Sequence, residues 1–205
     1  MKIAVLGAGN IGGTLGRKWS KAGHSISFGV NDPNGKHAQE LRAELGNAVQ
    51  IGTVDEALQS QPDVVVLAVP GGTMDAVITK YAKQLDGKII IDTTNRMGGG
   101  GPFNSFATLK EYTSNAPIYR AFNTLGWENF ADPLFNGVPA DLFYCGTDGE
   151  ARTTAEQLIS DIGVRPVYLG GVEQVGVIDS LLNLWFALAV GQGKGRHLAF
   201  KMLNR

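Results

Sequence analysis

The sequence predicts an α/β fold: a doubly wound, mainly parallel sheet with helices on both faces and a small helical C-terminal lobe. Three observations carry this. Short apolar runs alternate with helical patterns along the chain, the order that pairs strands in parallel through crossover helices. The first run, Ile3-Ala4-Val5-Leu6, lacks polar alternation and suits a strand buried on both faces. It leads directly into Gly7-Ala8-Gly9-Asn10-Ile11-Gly12, after which Ile11, Leu15 and Trp19 recur at helical spacing.

That strand, turn and helix imply a chemistry. Gly7 permits a tight turn, Gly9 lets the backbone approach a pyrophosphate, and Gly12 lets the helix pack close to the strand. The helix N-terminus adds free N–H groups and the positive end of a dipole. Gly7, Gly9, Asn10, Ile11 and Gly12 are therefore candidate dinucleotide-binding residues. A glycine-rich turn without a ligand is the competing reading, and the complete strand–turn–helix context weighs against it.

The 205 residues suit one domain, taken as 1–170, with a C-terminal helical segment, 171–205, packed on it. With 18 basic and 19 acidic residues and no basic run, a nucleic-acid partner is not expected. The longest apolar run, Leu184 to Val190, is too short to span a bilayer, so no membrane is expected either. The single cysteine, Cys145, excludes an intrachain disulfide and reads as a small core residue of a strand. No signal peptide precedes the first strand, so the expected compartment is the cytoplasm.

The first helix runs to about Lys21, and Gly23 caps it. Ser25 to Gly29 is the second strand; His24, at its start, lies at the edge away from a ligand and is structural. The cluster Val30-Asn31-Asp32-Pro33-Asn34-Gly35-Lys36 is a turn and stands where a Rossmann sheet chooses between NAD and NADP. Asp32 has the spacing of an NAD-type acid but lies beyond the strand end. The loop has no arginine, and Lys36 offers a point charge to a phosphate. Capping of the turn by Asp32 and Asn34 is the plain alternative.

His37 to Leu45 is an amphipathic helix stopped by Gly46. Val49 to Ile51 is a strand. Thr53 and Glu56 form a capping box for the helix Val54 to Leu58. Asp63 to Pro70 is a strand and stop, placing Ala68, Val69 and Pro70 beside a dinucleotide. A helix follows from Gly71-Gly72-Thr73 to Leu85, then a strand from Lys88 to Asp92. Beyond it, Thr93 and Asn95 face the crevice, where they can bond a nicotinamide ribose or carboxamide. Gly98 to Gly101 reads equally as a lid or a flexible connection. Ser105 to Tyr112 is helical. Pro117 to Phe122 is a strand, and Asn123 to Trp127 follows it into the crevice. Strands Ala140 to Gly146 and Arg165 to Leu169 flank a helix from Glu150 to Ile162. Val175 to Val190 and Lys194 to Leu203 are two C-terminal helices joined at Gly191-Gln192-Gly193.

A nicotinamide over such a crevice implies hydride transfer. Carbonyl reduction also needs a proton donor. The candidates are poorly placed: His24, Lys80, Lys83 and Lys88 lie at the wrong edge, His37 on an outer helix and His197 near the C-terminus, leaving Lys110 and Tyr112 open. The scarcity favours an acceptor protonated from water, such as a flavin-like ring, and no catalytic side chain is assigned. No Cys, His or acidic grouping has metal-ligand spacing. Reduction of a small carbonyl or imine, and a non-catalytic NAD(P)-sensing protein, are the alternatives.

The segments Leu6 to Gly12, Leu67-Ala68-Val69-Pro70, Asp92-Thr93-Thr94-Asn95 and Ala121-Phe122-Asn123-Thr124 resemble the coenzyme F-420-dependent NADP oxidoreductase family. Leu184-Trp185, Gly191-Gln192-Gly193, Gly195-Arg196 and Ala199-Phe200 are similar to that family's last segment. The resemblance implies hydride transfer between NADP(H) and a deazaflavin or flavin, on a Rossmann domain with a small C-terminal lobe, in a homodimer. It tips the cofactor to NADP, with NAD still open. It also places Val30 and Asn31, where the family often has Ser-Arg, at the 2′-phosphate. Ala121 joins the cofactor side. Asn123, Thr124 and Trp127 fall on the acceptor side, and Trp185 on the C-terminal wall, where a core or dimer-interface aromatic is the other reading.

Overall fold

A computed structural model describes residues 1–98 and 101–205. The apolar runs become strands β1 (Lys2–Leu6), β2 (Ser25–Gly29), β3 (Val49–Gly52), β4 (Val64–Leu67), β5 (Ile89–Asp92) and β6 (Ile118–Arg120). A short hairpin follows, β7 (Leu134–Phe135) and β8 (Val138–Pro139), then β9 (Asp141–Gly146) and β10 (Arg165–Tyr168). The helices are α1 (Asn10–Lys21), α2 (Lys36–Leu45), α3 (Val54–Gln59), α4 (Met74–Leu85), α5 (Phe106–Tyr112), α6 (Glu128–Ala131), α7 (Glu150–Ile162) and α8 (Val175–Phe186).

Eight strands form one sheet in the order β10-β9-β6-β5-β4-β1-β2-β3. Every pairing is parallel except β6 with β9, where Arg120 sits opposite Cys145. The order reverses at β1, between β4 and β2, and that reversal opens the crevice at the strand carboxyl ends.

Each face of the sheet has its own core. Leu15, Trp19, Phe28, Tyr119, Tyr144 and Ile159 pack on one face; Leu67, Ile78, Leu85, Ile90 and Leu109 pack on the other. Burying each such side chain contributes roughly 1.5–3 kcal/mol. Trp19 also donates its indole N–H to the Leu158 carbonyl at 2.9 Å and meets the edge of Phe122. Cys145 is fully buried, and burial pushes its thiol up to about 12, which keeps it an unreactive core residue. His24 is structural, with Nε2 2.7 Å from Asp161.

Two sequence expectations need correction, and two short elements were not foreseen. The strand predicted to Phe122 ends at Arg120, because Phe122 takes a left-handed backbone with φ +60°. The hairpin β7–β8 and the single turn α6 are too short to leave a periodic signal. Lys194 to Leu203 is not a helix. After α8, Ala187–Gly191 makes one π turn, and Gly193 (φ +63°) and Gly195 (φ +83°) break the helical path. The tail then runs extended and pairs with β9: the Asp141 N–H donates to the Phe200 carbonyl at 3.0 Å, and the Met202 N–H donates to the Asp141 carboxylate at 2.7 Å. Gly98 to Gly101, read as a lid or a connection, includes Gly99 and Gly100, which lie outside the described residues.

The stretch Val172–Gly191 forms 20 helical residues, long and apolar enough by length and composition to cross a membrane. The Leu184 to Val190 run alone did not show this. In this fold Ile178, Leu182 and Trp185 are buried against the sheet domain, and Asp179 is bonded to Arg120.

Asp141 pins the tail. Burial by itself raises a carboxyl's pKa, but Arg165, the Met202 N–H and Lys201 outweigh it and bring Asp141 down to about 2. The folded value is below that of free aspartate. The stabilisation is therefore present above the ordinary carboxylate range and is lost as pH falls towards 2. Asp141→Asn is expected to remove on the order of 2 kcal/mol at neutral pH. It should also flatten the acid limb of a thermal-unfolding series followed by circular dichroism between pH 5 and 2, with pH points set by the Asp141 value of about 2. An acid limb as steep as the parent's removes Asp141 as its cause.

Candidate dinucleotide crevice

Three glycines open the crevice for different reasons. Gly7 has φ +111°, and a Cβ there would overlap the Ala68 carbonyl oxygen. A Cβ on Gly12 would overlap the Gly7 carbonyl oxygen. Both are glycine because the chain itself approaches closely. Gly9 differs: its φ is −70°, and nothing lies within 4 Å of where its Cβ would stand. No neighbour among the described residues requires glycine there, and the bare backbone leaves room for a ligand to lie against it. Gly9 is also the N-cap of α1, with no side-chain cap and no acidic residue in the first turn, so Asn10 and Ile11 begin a helix end open to an anion.

The next two walls touch. Ala68, Val69 and Pro70 follow β4, and a Cβ on Gly71 would stand 2.6 Å from the Asn95 carbonyl oxygen. Beyond β5, the Thr93 hydroxyl donates to the Leu67 carbonyl at 2.9 Å. The expected ligand role of Asn95 is corrected by its bonding. Its Nδ2 donates to the Asn123 carbonyl and its Oδ1 accepts from Arg120, both at 2.9 Å, so the amide is committed inside the protein.

Ala121 is buried after β6, and Asn123 is 2% exposed. Both amide atoms of Asn123 and the hydroxyl of buried Thr124 have no partner among the described residues. A buried polar group left unpaired costs about 1–3 kcal/mol, so these atoms fit a hydrogen-bonding ligand. Trp127 is half-buried and, with Gly9, Asn10, Arg17 and Lys18, lines a groove of about 440 Å³ along α1. Trp185 does not form a ligand wall. It is 2% exposed, donates its indole N–H to the Leu198 carbonyl at 2.8 Å, and sits beneath Gly126 as a core support. Arg196 lies over its ring and binds Glu128 at 2.6 Å; burial raises the Glu128 carboxyl, but Arg196 outweighs it and holds the pKa down.

At the second-strand loop the plain alternative holds. Asp32 accepts the Asn34 N–H through its side chain and the Gly35 N–H through its carbonyl, closing a turn. Val30 is half-buried and Asn31 is exposed. Lys36 opens α2 with its side chain 83% exposed, 3.9 Å from Glu40. A cation missed in the sequence reaches the same loop: both terminal nitrogens of Arg42 donate to the Pro33 carbonyl at 3.2 Å. Its only signal was helical reach, since Arg42 lies in the last turn of α2.

A second miss is larger. Arg120 has no exposed surface and is paired with Asp92 at 3.3 Å and with Asp179 of α8 at 3.0 Å. Asn104 donates to the other Asp179 oxygen at 2.7 Å. The available signal was a charged residue inside the apolar strand Ile118-Tyr119-Arg120-Ala121 and another inside an apolar helix.

Residues 2–96 match the family model described as NADP oxidoreductase coenzyme F420-dependent. An F420-dependent NADP reductase from Methanocaldococcus jannaschii is 27% identical over 93% of each chain. A crystal structure from Arthrobacter sp. FB24, described as a candidate F420-dependent NADP reductase, superposes over 100% of both chains with a TM-score of 0.82 at 24% identity. A reductive aminase from Aspergillus terreus, solved with NADPH and ethyl-5-oxohexanoate, shares the fold at a TM-score of 0.66 and 17% identity; the match covers 93% of this chain and 63% of that one.

The glycine geometry separates two substitutions. Gly9→Asp is expected to keep the parent's thermal midpoint and lose NADPH binding, read as nucleotide fluorescence in a titration. Gly12→Ala is expected to lower the midpoint by several degrees, because the overlap is with backbone. Binding retained in Gly9→Asp would remove the pyrophosphate assignment.

Proposed function

We propose, from the premise that residues 2–96 belong to the coenzyme F420-dependent NADP oxidoreductase family, that this NADP-dependent oxidoreductase passes hydride between NADP(H) and a deazaflavin- or flavin-type acceptor in the cytoplasm. The observation that carries it is the open space over Gly9 at the uncapped head of α1. Backbone from Gly9 to Gly12 would hold the pyrophosphate. Asn31, Lys36 and Arg42 would meet a 2′-phosphate, the two cations as charges that can swing onto it. Ala68 to Pro70, Thr93 and Ala121 would bound the ribose and ring. When bound, the nicotinamide supplies or takes the hydride.

The acceptor follows from what faces it. Asn123, Thr124 and Trp127 are an amide, a hydroxyl and an indole, groups that orient and exclude water rather than deliver a proton at neutral pH. A flavin-type ring takes its proton from solvent, and its rate depends on stacking against the nicotinamide. The reductase from Methanocaldococcus jannaschii supports this reading. A carbonyl or imine reading would use His197 as its proton donor, an exposed residue next to Arg196, which binds Glu128.

Anaerobic mixing with NADPH and oxidised deazaflavin or FMN is expected to consume the nicotinamide absorbance, with NADH slower. Oxidation only with a carbonyl or an imine, abolished in His197→Ala, would move the assignment to that class. Tight binding without turnover would make the protein a sensor.

We also infer a homodimer through the outward face of α8. Val177 and Leu184 are exposed there beside Gly176 and Ser180, continued by Ala187 and Val190 of the π turn, a stripe that a second copy can cover by two-fold pairing. Light scattering is expected to give twice the chain mass, reduced to one chain mass in Leu184→Glu; a monomeric parent refutes it.

A further inference from the structure

We propose that Asp179, Arg120 and Asn95 form a positioning brace through which α8 sets Asn123 against an amide-like edge, an N–H beside a C=O, of the bound ligand. The inference rests on the reading that the crevice binds a nicotinamide dinucleotide. Such an edge occurs on the nicotinamide carboxamide and on the pyrimidine side of a flavin-type ring.

The brace is a continuous chain of bonds. Asp179 Oδ1 accepts from Arg120 Nε at 3.2 Å and from Nη2 at 3.0 Å, while Asn104 fixes its other oxygen. Arg120 Nη2 also donates to Asn95 Oδ1, and Nη1 donates to the Thr94 carbonyl. A guanidinium has only donors, so it selects the oxygen of the Asn95 amide. The Asn95 NH2 must then point the other way, and there it meets the Asn123 carbonyl. The charge on α8 thus decides which end of Asn95 faces Asn123.

What the brace holds is costly to hold. Phe122, the residue before Asn123, has φ +60°, a left-handed conformation that a bulky side chain adopts only where its surroundings over-determine it. The Asn123 amide is buried, and among the described residues its donor and its acceptor are both unused. A carboxamide or imide edge offers the reciprocal acceptor and donor, and two hydrogen bonds would satisfy both. None of Asn95, Arg120 or Asp179 touches the ligand in this account; they act through Asn123.

A double-mutant cycle tests it. Asn95→Asp keeps the size of the side chain and the pairing with Arg120 but turns an acceptor towards the Asn123 carbonyl. Asn95→Asp and Asn123→Ala are each expected to weaken the same ligand about tenfold, the loss of one paired buried group. In the double variant the loss should stay close to that of Asn123→Ala alone. The loss falls on the NADPH dissociation constant if the carboxamide is read, and on acceptor KM at saturating NADPH if the ring is read. Should Asn95→Asp not fold, Asp179→Asn goes through the same cycle. Losses that multiply, or an Asn123→Ala variant that changes neither constant, overturn the brace. The proposed acceptor fails separately: a brace seen in NADPH binding without flavin turnover leaves the brace standing and removes the acceptor. A parent protein that binds no NADPH overturns both.

Discussion

A guanidinium with no exposed surface, shared between a carboxylate at the end of β5 and one in the middle of α8, joins the two halves of this molecule. Taking three charges out of water is expensive, and the attraction between them repays that cost only when the geometry and the remaining hydrogen bonds are good. Here they are. Asp92 also accepts the N–H and hydroxyl of Thr94 and the N–H of Ser105, and Asp179 is bound by Asn104. An apolar pair of similar volume would pack as well, but it would not fix direction. Ions with fixed lone pairs and donors dictate where the β5 and β6 loops sit relative to α8, and those loops are the crevice.

The glycines show the same division between what the chain requires and what a ligand requires. Gly7 and Gly12 are forced by backbone that comes too close for any Cβ. Gly9 has an ordinary conformation and, among the described residues, no neighbour above it. A motif read from sequence assigns all three to the nucleotide. The structure accounts for two of them by the fold alone, and leaves the third open to the ligand proposed above.

The first six strands, the mainly parallel sheet and the starts of the longer helices were legible because each rests on local chemistry: apolar runs, turn residues, a capping box at Thr53 and Glu56 that forms as read. The tail was not legible. Ala199 and Phe200 fit a helical stripe, but the Phe200 carbonyl finds its partner on β9, a strand some 60 residues earlier in the chain, and glycine at 193 and 195 removes the helix that local spacing suggested. Asn95 failed for a related reason. Its type and place at a strand end fit a ligand contact, and only the buried Arg120, itself announced by a charge inside an apolar strand, shows that the amide is already used. Arg42 reaches its loop across two turns of helix, a distance that no local pattern encodes.

The failure at Asn95 falls where stability has been conceded. The two apolar cores of the sheet are satisfied, and their residues sit where periodicity puts them. At the ends of β5 and β6, Phe122 is held in a left-handed conformation, and the Asn123 amide and Thr124 hydroxyl have no partner among the described residues. Each costs the free protein roughly 1–3 kcal/mol. Relaxing Phe122 would move Asn123; Trp19 and Phe130 pack edge-on against the Phe122 ring, and the Asn123 carbonyl is restrained separately. The restraint comes from Asn95, which is oriented by Arg120, which is held by a helix from the far end of the chain. A site that must present unsatisfied groups in fixed positions needs its supports to be charged, buried and distant in sequence, and that requirement hides them from a local reading.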